Sequence, residues 1–301
     1  MERIQVEKLV TNIKTQFTKA RAKVYWRAMR MDKPAGIGLA LLPSLWALAF
    51  AAEAFWQILV YFPLFIIGAV VTRGAGCVIN DLADRKFDIH VERTASRPIA
   101  TGELSFRDAL YFLAVLLTVA LCILLILPKI AILIGLFTMI PIVLYPYMKR
   151  FTYFPQVFLG LTFNLGVLIG WYTIKTTPSF TPVALYIAAV CWTIGYDTIY
   201  AHQDKSYDKD IGVKSMALKL EDKTPEALWT LYKLTGLFLA LVGLLTHMNI
   251  FYYVGWGIAF YHLYWQTQTL KLNSPKNCAA KFESNVIFGL IILASALIGR
   301  L

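Results

Sequence analysis

The residues best suited to do chemistry form an acidic segment near position 80. It reads Asn80-Asp81-Leu82-Ala83-Asp84-Arg85-Lys86-Phe87-Asp88. On a helix, Asn80, Asp84 and Asp88 recur every four residues and therefore share one face. Mg²⁺ takes oxygen ligands and is usually held by a few carboxylates together with substrate phosphates. The segment therefore predicts one half of a site for Mg²⁺ and a phosphate group.

A second acidic segment follows later in the chain. It reads Tyr196-Asp197-Thr198-Ile199-Tyr200-Ala201-His202-Gln203-Asp204-Lys205-Ser206-Tyr207-Asp208. Tyr200, Asp204 and Asp208 share a helical face, whereas Asp197 lies inside the preceding hydrophobic block, where an ionisable group is costly and usually faces a cavity or pathway. One acidic run alone is as readily explained as a solvated helix end. Two runs at matched positions favour Mg²⁺-assisted loss of diphosphate.

Cationic and tyrosine side chains near the ends of hydrophobic blocks complete the candidate site. Such groups bind diphosphate oxygens and stabilise the charge of a leaving group. They are Arg30, Lys33, Arg73, Tyr145, Lys149, Arg150 and Lys214. Interfacial lysine and arginine commonly extend to lipid headgroups, which is a sufficient explanation for any one of them. Arg73 is the better candidate because it lies deeper in its block, beside Gly74 and Gly76.

The elements that must position these residues are long apolar blocks. Hydrophobic residues make up 58% of the 301 residues and charged residues 16%, against about a quarter charged in soluble domains. Uncharged blocks of about 18 residues or more predict membrane-spanning helices. The predicted blocks are Ala35–Ala52, Phe55–Val78, Ala109–Leu127, Ile130–Tyr147, Phe154–Ile174, Val183–His202, Ala227–Met248, Tyr252–Leu270 and Ser284–Ile298. The sequence thus predicts an all-α integral membrane protein with about nine transmembrane helices.

The distribution of lysine and arginine predicts the orientation. Most of them lie before the first block or after even-numbered blocks, whereas the opposite side holds only Lys129, Lys175 and Arg300. By the positive-inside rule, the N-terminus faces the cytoplasm or the equivalent organellar compartment, and the C-terminus faces outside. This placement accounts for the net charge of +11 without nucleic acid as a partner. We expect a basic juxtamembrane segment at residues 1–33 and one membrane domain at residues 34–301.

The two acidic segments follow the second and sixth blocks and therefore lie on the same side. This spacing predicts two parallel halves whose acidic segments face each other across a central cavity. Asn164, in the fifth block, is expected to hydrogen-bond a neighbouring helix. The four cysteines show no metal-ligand spacing, which argues against a zinc site. They are Cys77, Cys122, Cys191 and Cys278.

Five stretches of the chain together resemble the UbiA superfamily of intramembrane prenyltransferases. Within it they are most similar to the branch that acts on 4-hydroxybenzoate in ubiquinone biosynthesis. The stretches are Arg30-Met31-Asp32-Lys33-Pro34, Arg73-Gly74-Ala75-Gly76-Cys77 leading into the first acidic segment, Arg93-Thr94-Ala95-Ser96-Arg97-Pro98, Tyr145 with Lys149, and the second acidic segment on to Lys214. The Asn-Asp-x-x-Asp pattern alone marks the superfamily, whereas the second and last stretches resemble the 4-hydroxybenzoate branch.

The resemblance implies nine helices around a central cavity and a Mg²⁺-dependent transfer of a polyprenyl group. The donor would be a polyprenyl diphosphate, and the acceptor carbon would lie ortho to the hydroxyl of 4-hydroxybenzoate. The residues implied to hold Mg²⁺ and diphosphate are Asn80, Asp84, Asp88, Asp204 and Asp208, with Arg30, Tyr145 and Lys149 assisting. Tyr207 stands where this branch often has a further acid. Asp197 is the hypothetical acceptor of the ring proton.

Alternatives from the same and from another class stay open at this point. The same reaction on dihydroxynaphthoate, homogentisate or haem would keep the site and change the acceptor. A transporter with intramembrane carboxylates is a second class, but transporters usually hold coupling residues near the bilayer midplane. Here nearly all the acids gather at one rim, which favours a site for metal and phosphate. The location expected from the sequence is a bacterial inner membrane, with the mitochondrial inner membrane as the alternative.

Overall fold

A computed structural model describes residues 19–89, 94–205 and 212–300, and these form helices and no β-strand. In chain order the helices are α1 (Lys19–Ala28), α2 (Ala35–Ala51), α3 (Phe55–Asp88), α4 (Phe106–Leu125), α5 (Lys129–Phe151), α6 (Pro155–Phe163), α7 (Leu165–Ile174), α8 (Thr181–Ala201), α9 (Met216–Leu220), α10 (Thr224–Leu245), α11 (Ile250–Gln268) and α12 (Pro275–Ile298). The all-α prediction is confirmed for these residues.

Seven segments of the described chain are long and apolar enough to cross a membrane. They are Phe55–Lys86, Phe106–Leu125, Lys129–Phe151, Pro155–Ile174, Thr181–Ala201, Met216–Leu245 and Pro275–Ile298. Helix α2 is apolar but shorter, and α11 coincides with a further predicted block. The protein is therefore a multi-pass membrane protein. The number of nine spans, the orientation of the termini and the central cavity stay predictions.

The outward surface of several helices is apolar. On α3, Trp56 is 57% exposed, and on α5, Leu133 is 58% exposed, each with large apolar neighbours that are also exposed. Soluble monomers rarely expose apolar patches of more than a few hundred Å². In a bilayer the same side chains contact lipid tails, so this surface agrees with membrane-spanning helices.

The described residues fall into two compact units, each with its own core. The first holds the described residues up to Pro34 together with Val70–Ala120, and the second holds the rest. In the second unit, α8 packs against α10, and α2 packs against α7 and α12. Trp46, Trp192 and Phe288 are buried at its centre. The predicted boundary after residue 33 stays a prediction, and residues 1–18 lie outside the described residues.

In the first unit, α1 is attached to the polar segment that follows α3 and to the first turn of α4. Arg21 donates to Asp108 over 2.5 Å, and Arg27 donates to Glu103 over 2.8 Å. Arg27 also donates to the backbone oxygen of Ser96. Because both ion pairs are partly exposed, their stabilising effect is modest, on the order of 1 kcal/mol or less each. They determine where the turn after α1 lies, and this turn carries Arg30.

The predicted block Phe154–Ile174 is interrupted at Asn164, which separates α6 from α7. Asn164 adopts φ −85° and ψ 0°. Its buried side-chain nitrogen donates to Gly160 O and to Thr193 Oγ1 on α8, each over 2.8 Å. Backbone groups released by a break inside a membrane helix must find partners within the protein. The expected hydrogen bond from Asn164 to a neighbouring helix is confirmed.

Replacing Asn164 is expected to destabilise the second unit. Asn164→Leu removes both donors and leaves Gly160 O and Thr193 Oγ1 without this partner, which costs about 1 kcal/mol for an interhelical hydrogen bond in a membrane protein. The measurement is the thermal unfolding midpoint of the purified protein in detergent. Thr118→Val is the matched control, because Thr118 is exposed and, among the residues that the structure describes, its hydroxyl bonds only to Ala114 O of its own helix. Equal midpoints for the two variants would contradict the prediction.

Candidate active site

The end of α3 carries the first acidic segment on a continuous helix. Asp81 is 1% exposed, Asp84 2% and Asp88 6%, and Asn80 is half-buried. The helix therefore continues past the apolar block through Asp88, which is the condition for the predicted shared face. Carboxylates are rarely this deeply buried unless they are paired. Neighbouring groups must therefore compensate the charge of these buried carboxylates.

Two arginines from other parts of the first unit contact these carboxylates. Arg30 Nη2 lies 2.6 Å from Asp81 Oδ1, and Arg97 Nη1 lies 3.1 Å from the same oxygen. Arg97 Nη1 also lies 2.8 Å and 3.0 Å from the two oxygens of Asp88. Thr94 Oγ1 donates to the backbone oxygen of Asp88 over 2.8 Å. Arg30, Asp81, Arg97 and Asp88 thus form one network of ion pairs, named here the α3 network.

Burial and charge act in opposite directions on the groups of this network. Burial raises the pKa of the Asp88 carboxyl above its ordinary value, and the neighbouring Arg97 guanidinium opposes this rise. Burial lowers the pKa of Arg30, but the Asp81 carboxylate outweighs that effect and leaves the pKa above its ordinary value. Arg30 is therefore positively charged at any physiological pH.

Arg73 contacts the turn that carries Arg30. Arg73 Nη1 lies 3.4 Å from Met29 O and 3.3 Å from Cys77 Sγ. Met29 packs over Gly74, where an added Cβ would lie 2.6 Å from Met29 Cε. The glycine beside Arg73 thus allows the turn to approach the helix closely. A role for Arg73 in binding substrate stays a prediction.

The second acidic segment lies at the end of α8. Asp197 is half-buried, and among the described residues no group donates a hydrogen bond to its carboxylate. The helix ends at Ala201, and the Asp204 N–H donates to Ala201 O over 3.3 Å in the turn that follows. Asp204 is half-buried. Asp208 lies outside the described residues, so its predicted place beside Asp204 stays a prediction.

Aromatic rings surround this end of α8. The Tyr196 ring lies 5.0 Å from Trp192 and 5.7 Å from Phe282, and the Tyr200 ring lies 4.6 Å from Phe282. Trp192 and Tyr196 are buried. The rings of Trp192, Tyr196 and Phe282 belong to or pack against the hydrophobic core of the second unit, which packs around this part of α8.

Two of the predicted cations are neighbours in the second unit. The Lys214 N–H donates to Lys149 O over 3.0 Å, and Lys214 Nζ donates to Phe151 O over 3.3 Å. Tyr145, one helical turn before Lys149 on α5, is half-buried with its ring 6.1 Å from that of Phe163. The structure thus brings Lys149 and Lys214 together, and their binding of substrate stays a prediction.

The chemistry of the donors fits Mg²⁺. Within the described ranges, no three histidine, cysteine, aspartate or glutamate side chains form a metal-binding group. Mg²⁺ does not require such a group, because it is usually bound through one or two carboxylates, waters and substrate phosphates. The amide of Asn80 and the buried carboxylates of Asp84 and Asp88 are hard oxygen donors of this kind. These three donors include no sulfur or imidazole group, the ligand types that would favour zinc.

Asp81 and Arg97 are functional candidates that only the structure identifies. Asp81 lies three residues before Asp84 and seven before Asp88, so it shares a helical face with both. That spacing was visible, but the four-residue series from Asn80 competes with it. Arg97 lies in a polar segment, and its contact with α3 depends on tertiary structure that no local spacing reports.

These observations define a class: a multi-pass helical membrane protein with buried carboxylates paired to arginines at one helix end. The chain belongs to the UbiA prenyltransferase family, which it matches over residues 40–292. It is an enzyme of the aromatic prenyltransferase type.

Two curated relatives are named mitochondrial 4-hydroxybenzoate polyprenyltransferases. That of Drosophila melanogaster is 43% identical over 284 residues, which cover 93% of this chain and 72% of the relative. That of Homo sapiens is 42% identical over 289 residues, which cover 92% of this chain and 75% of the relative. The resemblance described from the sequence is thereby confirmed.

Two solved structures share the fold. The apo structure of a UbiA homologue from Aeropyrum pernix K1 has a TM-score of 0.74 and 21% identity, and covers 89% of this chain and 98% of its own. A UbiA homologue from Archaeoglobus fulgidus bound to GPP and Mg²⁺ has a TM-score of 0.69 and 22% identity, and covers 91% of this chain and 99% of its own. Both likenesses concern the fold.

Proposed function

We propose that this protein transfers a polyprenyl group from a polyprenyl diphosphate to the ring carbon ortho to the hydroxyl of 4-hydroxybenzoate, with Mg²⁺, in ubiquinone biosynthesis. The observation that carries the proposal is the buried acidic end of α3 with its paired arginines, in a chain that belongs to the UbiA prenyltransferase family. The names of the relatives support the acceptor. The homologue bound to GPP and Mg²⁺ supports the donor class and the metal.

The residues proposed to hold the metal are the oxygen donors of the two acidic segments. They are Asn80, Asp84 and Asp88 on α3, together with Asp204 and Asp208 after α8. When bound, Mg²⁺ would neutralise diphosphate charge and so favour its departure.

The cationic residues are proposed to bind the diphosphate oxygens. Arg30 presents a charged guanidinium that Asp81 holds in place. Lys149 and Lys214, which are neighbours in the second unit, each supply an ammonium group, and Tyr145 and Arg73 are the remaining candidates. Donors of this type stabilise the negative charge that accumulates on the leaving group.

The transfer itself is an electrophilic aromatic substitution. The bond from the allylic carbon to oxygen breaks, and diphosphate leaves with the electron pair. The ring carbon ortho to the hydroxyl then bonds to the allylic carbon and loses its proton to a base. Asp197 is the proposed base, because it is half-buried and no described residue donates a hydrogen bond to it.

The membrane in which this happens is part of the proposal. Both relatives described above carry the word mitochondrial in their names. These names fit the mitochondrial inner membrane, which the sequence analysis gives as the alternative to a bacterial inner membrane. In either membrane a multi-pass chain keeps the prenyl tail in lipid while the polar reaction takes place at one rim.

The test uses the purified protein in detergent with a polyprenyl diphosphate. Labelled 4-hydroxybenzoate and labelled dihydroxynaphthoate are supplied separately, each with Mg²⁺ and with a chelator. We expect prenylated product from 4-hydroxybenzoate and loss of that product when the chelator removes the metal. Dihydroxynaphthoate is the matched control for the acceptor.

Each other outcome contradicts a defined part of the proposal. Product from dihydroxynaphthoate alone would overturn the acceptor and keep the reaction. Full activity with the chelator would overturn the metal. An absence of product from both acceptors, in protein that is folded by its elution profile, would overturn the function.

A further inference from the structure

Asp81 is held differently from its acidic neighbours on α3. One oxygen, Oδ1, accepts from both Arg30 and Arg97, at 2.6 Å and 3.1 Å. The second oxygen, Oδ2, is buried and accepts no hydrogen bond within the described residues. Two guanidinium groups that bind the same carboxylate oxygen repel each other, and a negative charge between them offsets this repulsion. Asp81 supplies that charge.

The backbone that carries Arg30 is fixed on the same helix. Met29 packs over Gly74 and its backbone oxygen accepts from Arg73. Arg30 itself has φ +59°, a left-handed conformation that residues with a side chain rarely adopt. Such backbone persists when the surroundings determine it, and it is concentrated at functional sites. The contacts of the turn and the ion pair with Asp81 are those surroundings.

Both guanidinium groups retain donors that the α3 network does not use. Arg97 makes its contacts through Nη1, and within the described residues its Nε and Nη2 donate to no group. In the described part of the chain, Arg30 donates from Nη2 to Asp81, and its Nη1 makes a 3.5 Å contact with Arg27 O. A guanidinium has five N–H donors arranged to bind an oxyanion through two parallel hydrogen bonds. The side chains of Arg30 and Arg97 are 14% and 15% exposed, so neither is completely buried.

We propose that Asp81 is a positioning residue that orients Arg30 and Arg97 to bind an oxyanion of a substrate, and that it is not a metal ligand. The inference rests on the proposed function and deepens it by separating Asp81 from Asp84 and Asp88. The oxyanion is the carboxylate of the aromatic acid or the diphosphate of the donor, which present the same chemistry to a guanidinium. Asp81 touches neither substrate, and its effect passes through the two arginines.

The test compares Asp81→Asn with wild type in the full-length protein. The KM of each substrate, kcat and the Mg²⁺ concentration for half-maximal activity are measured separately. We expect the KM of one substrate to rise about tenfold, the effect of losing one well-made charged contact, with the half-maximal Mg²⁺ concentration unchanged. The substrate whose KM rises identifies the oxyanion. Asp222→Asn is the matched control, because it makes the same exchange of carboxylate for amide at an exposed aspartate in the turn before α10 and should leave both KM values unchanged.

A second variant, Arg97→Gln, tests the proposal even if Asp81→Asn does not fold. Arg97→Gln should raise the KM of the same substrate. The combined effect of Asp81→Asn and Arg97→Gln should be smaller than the product of the two single effects, because part of the effect of Asp81 passes through Arg97. If Asp81→Asn does not accumulate as folded protein, Arg97→Gln alone decides, and an unchanged KM then overturns the inference. Binding of 4-hydroxybenzoate and of geranyl diphosphate by calorimetry without Mg²⁺ should show the same pattern.

Three results would overturn the proposal. One is a higher Mg²⁺ requirement in Asp81→Asn with unchanged KM values, which would make Asp81 a metal ligand. Another is wild-type behaviour of that variant in every measurement. The third is additive effects of the two substitutions on KM. A wild-type protein that shows no turnover would instead contradict the proposed function, and the binding experiment would still report on Asp81.

Discussion

Asp84→Asn is expected to lower kcat for prenyl transfer by about a hundredfold or more, which is the loss usually seen when one group that stabilises developing charge is removed. Asp84 is 2% exposed at the acidic end of α3. It lies one turn from Asp81 and one from Asp88, both of which accept from arginine. The substitution keeps the size of the side chain and removes its charge, so the effect reports on the charge.

The measurement is product formation at saturating substrates over a range of Mg²⁺ concentrations. Because an amide oxygen is a weaker ligand than a carboxylate, we also expect a higher Mg²⁺ concentration for half-maximal activity. Asp222→Asn is the control, since Asp222 is an exposed aspartate in the turn before α10. Activity within a few-fold of wild type in folded Asp84→Asn would show that this carboxylate has no part in the reaction.

The apolar blocks were sufficient to predict where the helices lie, because lipid requires long uncharged segments. Their ends were less predictable. Helix α12 begins at Pro275, before the predicted Ser284, because Ser274 accepts from Asn277 N–H and starts the helix in polar sequence. Hydropathy does not register a capped polar turn. The break at Asn164 was likewise hidden, because a single polar residue hardly changes the hydropathy of its block.

The candidate site was predictable to the extent that it depends on spacing within one segment. Asn80, Asp84 and Asp88 are spaced for one helix, and α3 is helical through Asp88. The partners of the acids were not predictable in this way. Arg30 precedes α3 by a whole apolar block and Arg97 follows it in a loop, so their meeting at Asp81 depends on packing between distant segments. Asp81 therefore became a candidate only with the structure.

Asp204→Ala is expected to lower turnover strongly while the protein still accumulates in the membrane. Asp204 is half-buried and lies in the turn after α8, where its backbone N–H bonds to Ala201 O. Its side chain is not part of the buried cores, so truncation should change the fold little and remove one of the proposed ligands. A loss of about a hundredfold or more is the expected size for such a group.

The control and the readout separate chemistry from folding. Asp222→Ala removes an exposed carboxylate by the same truncation and should retain activity. Membrane content is followed by quantitative immunoblot and folding by the unfolding midpoint in detergent. If folded Asp204→Ala turned over at the wild-type rate, the proposal that both acidic segments serve the reaction would be wrong.

The double variant Asp84→Asn with Asp204→Ala tests whether the two segments serve the same step. Residues that act as a unit show strongly non-additive effects, because losing one member already removes most of what the unit contributes. We therefore expect the double variant to be hardly slower than the more impaired single variant. Two independent contributions would instead multiply. If each single substitution lowers the rate about 100-fold, the rate of the double variant would then be about 10,000-fold lower than that of wild type. Single-turnover measurements with excess enzyme extend the range far enough to distinguish these results. Multiplicative losses would show that the two acidic segments act in separate steps.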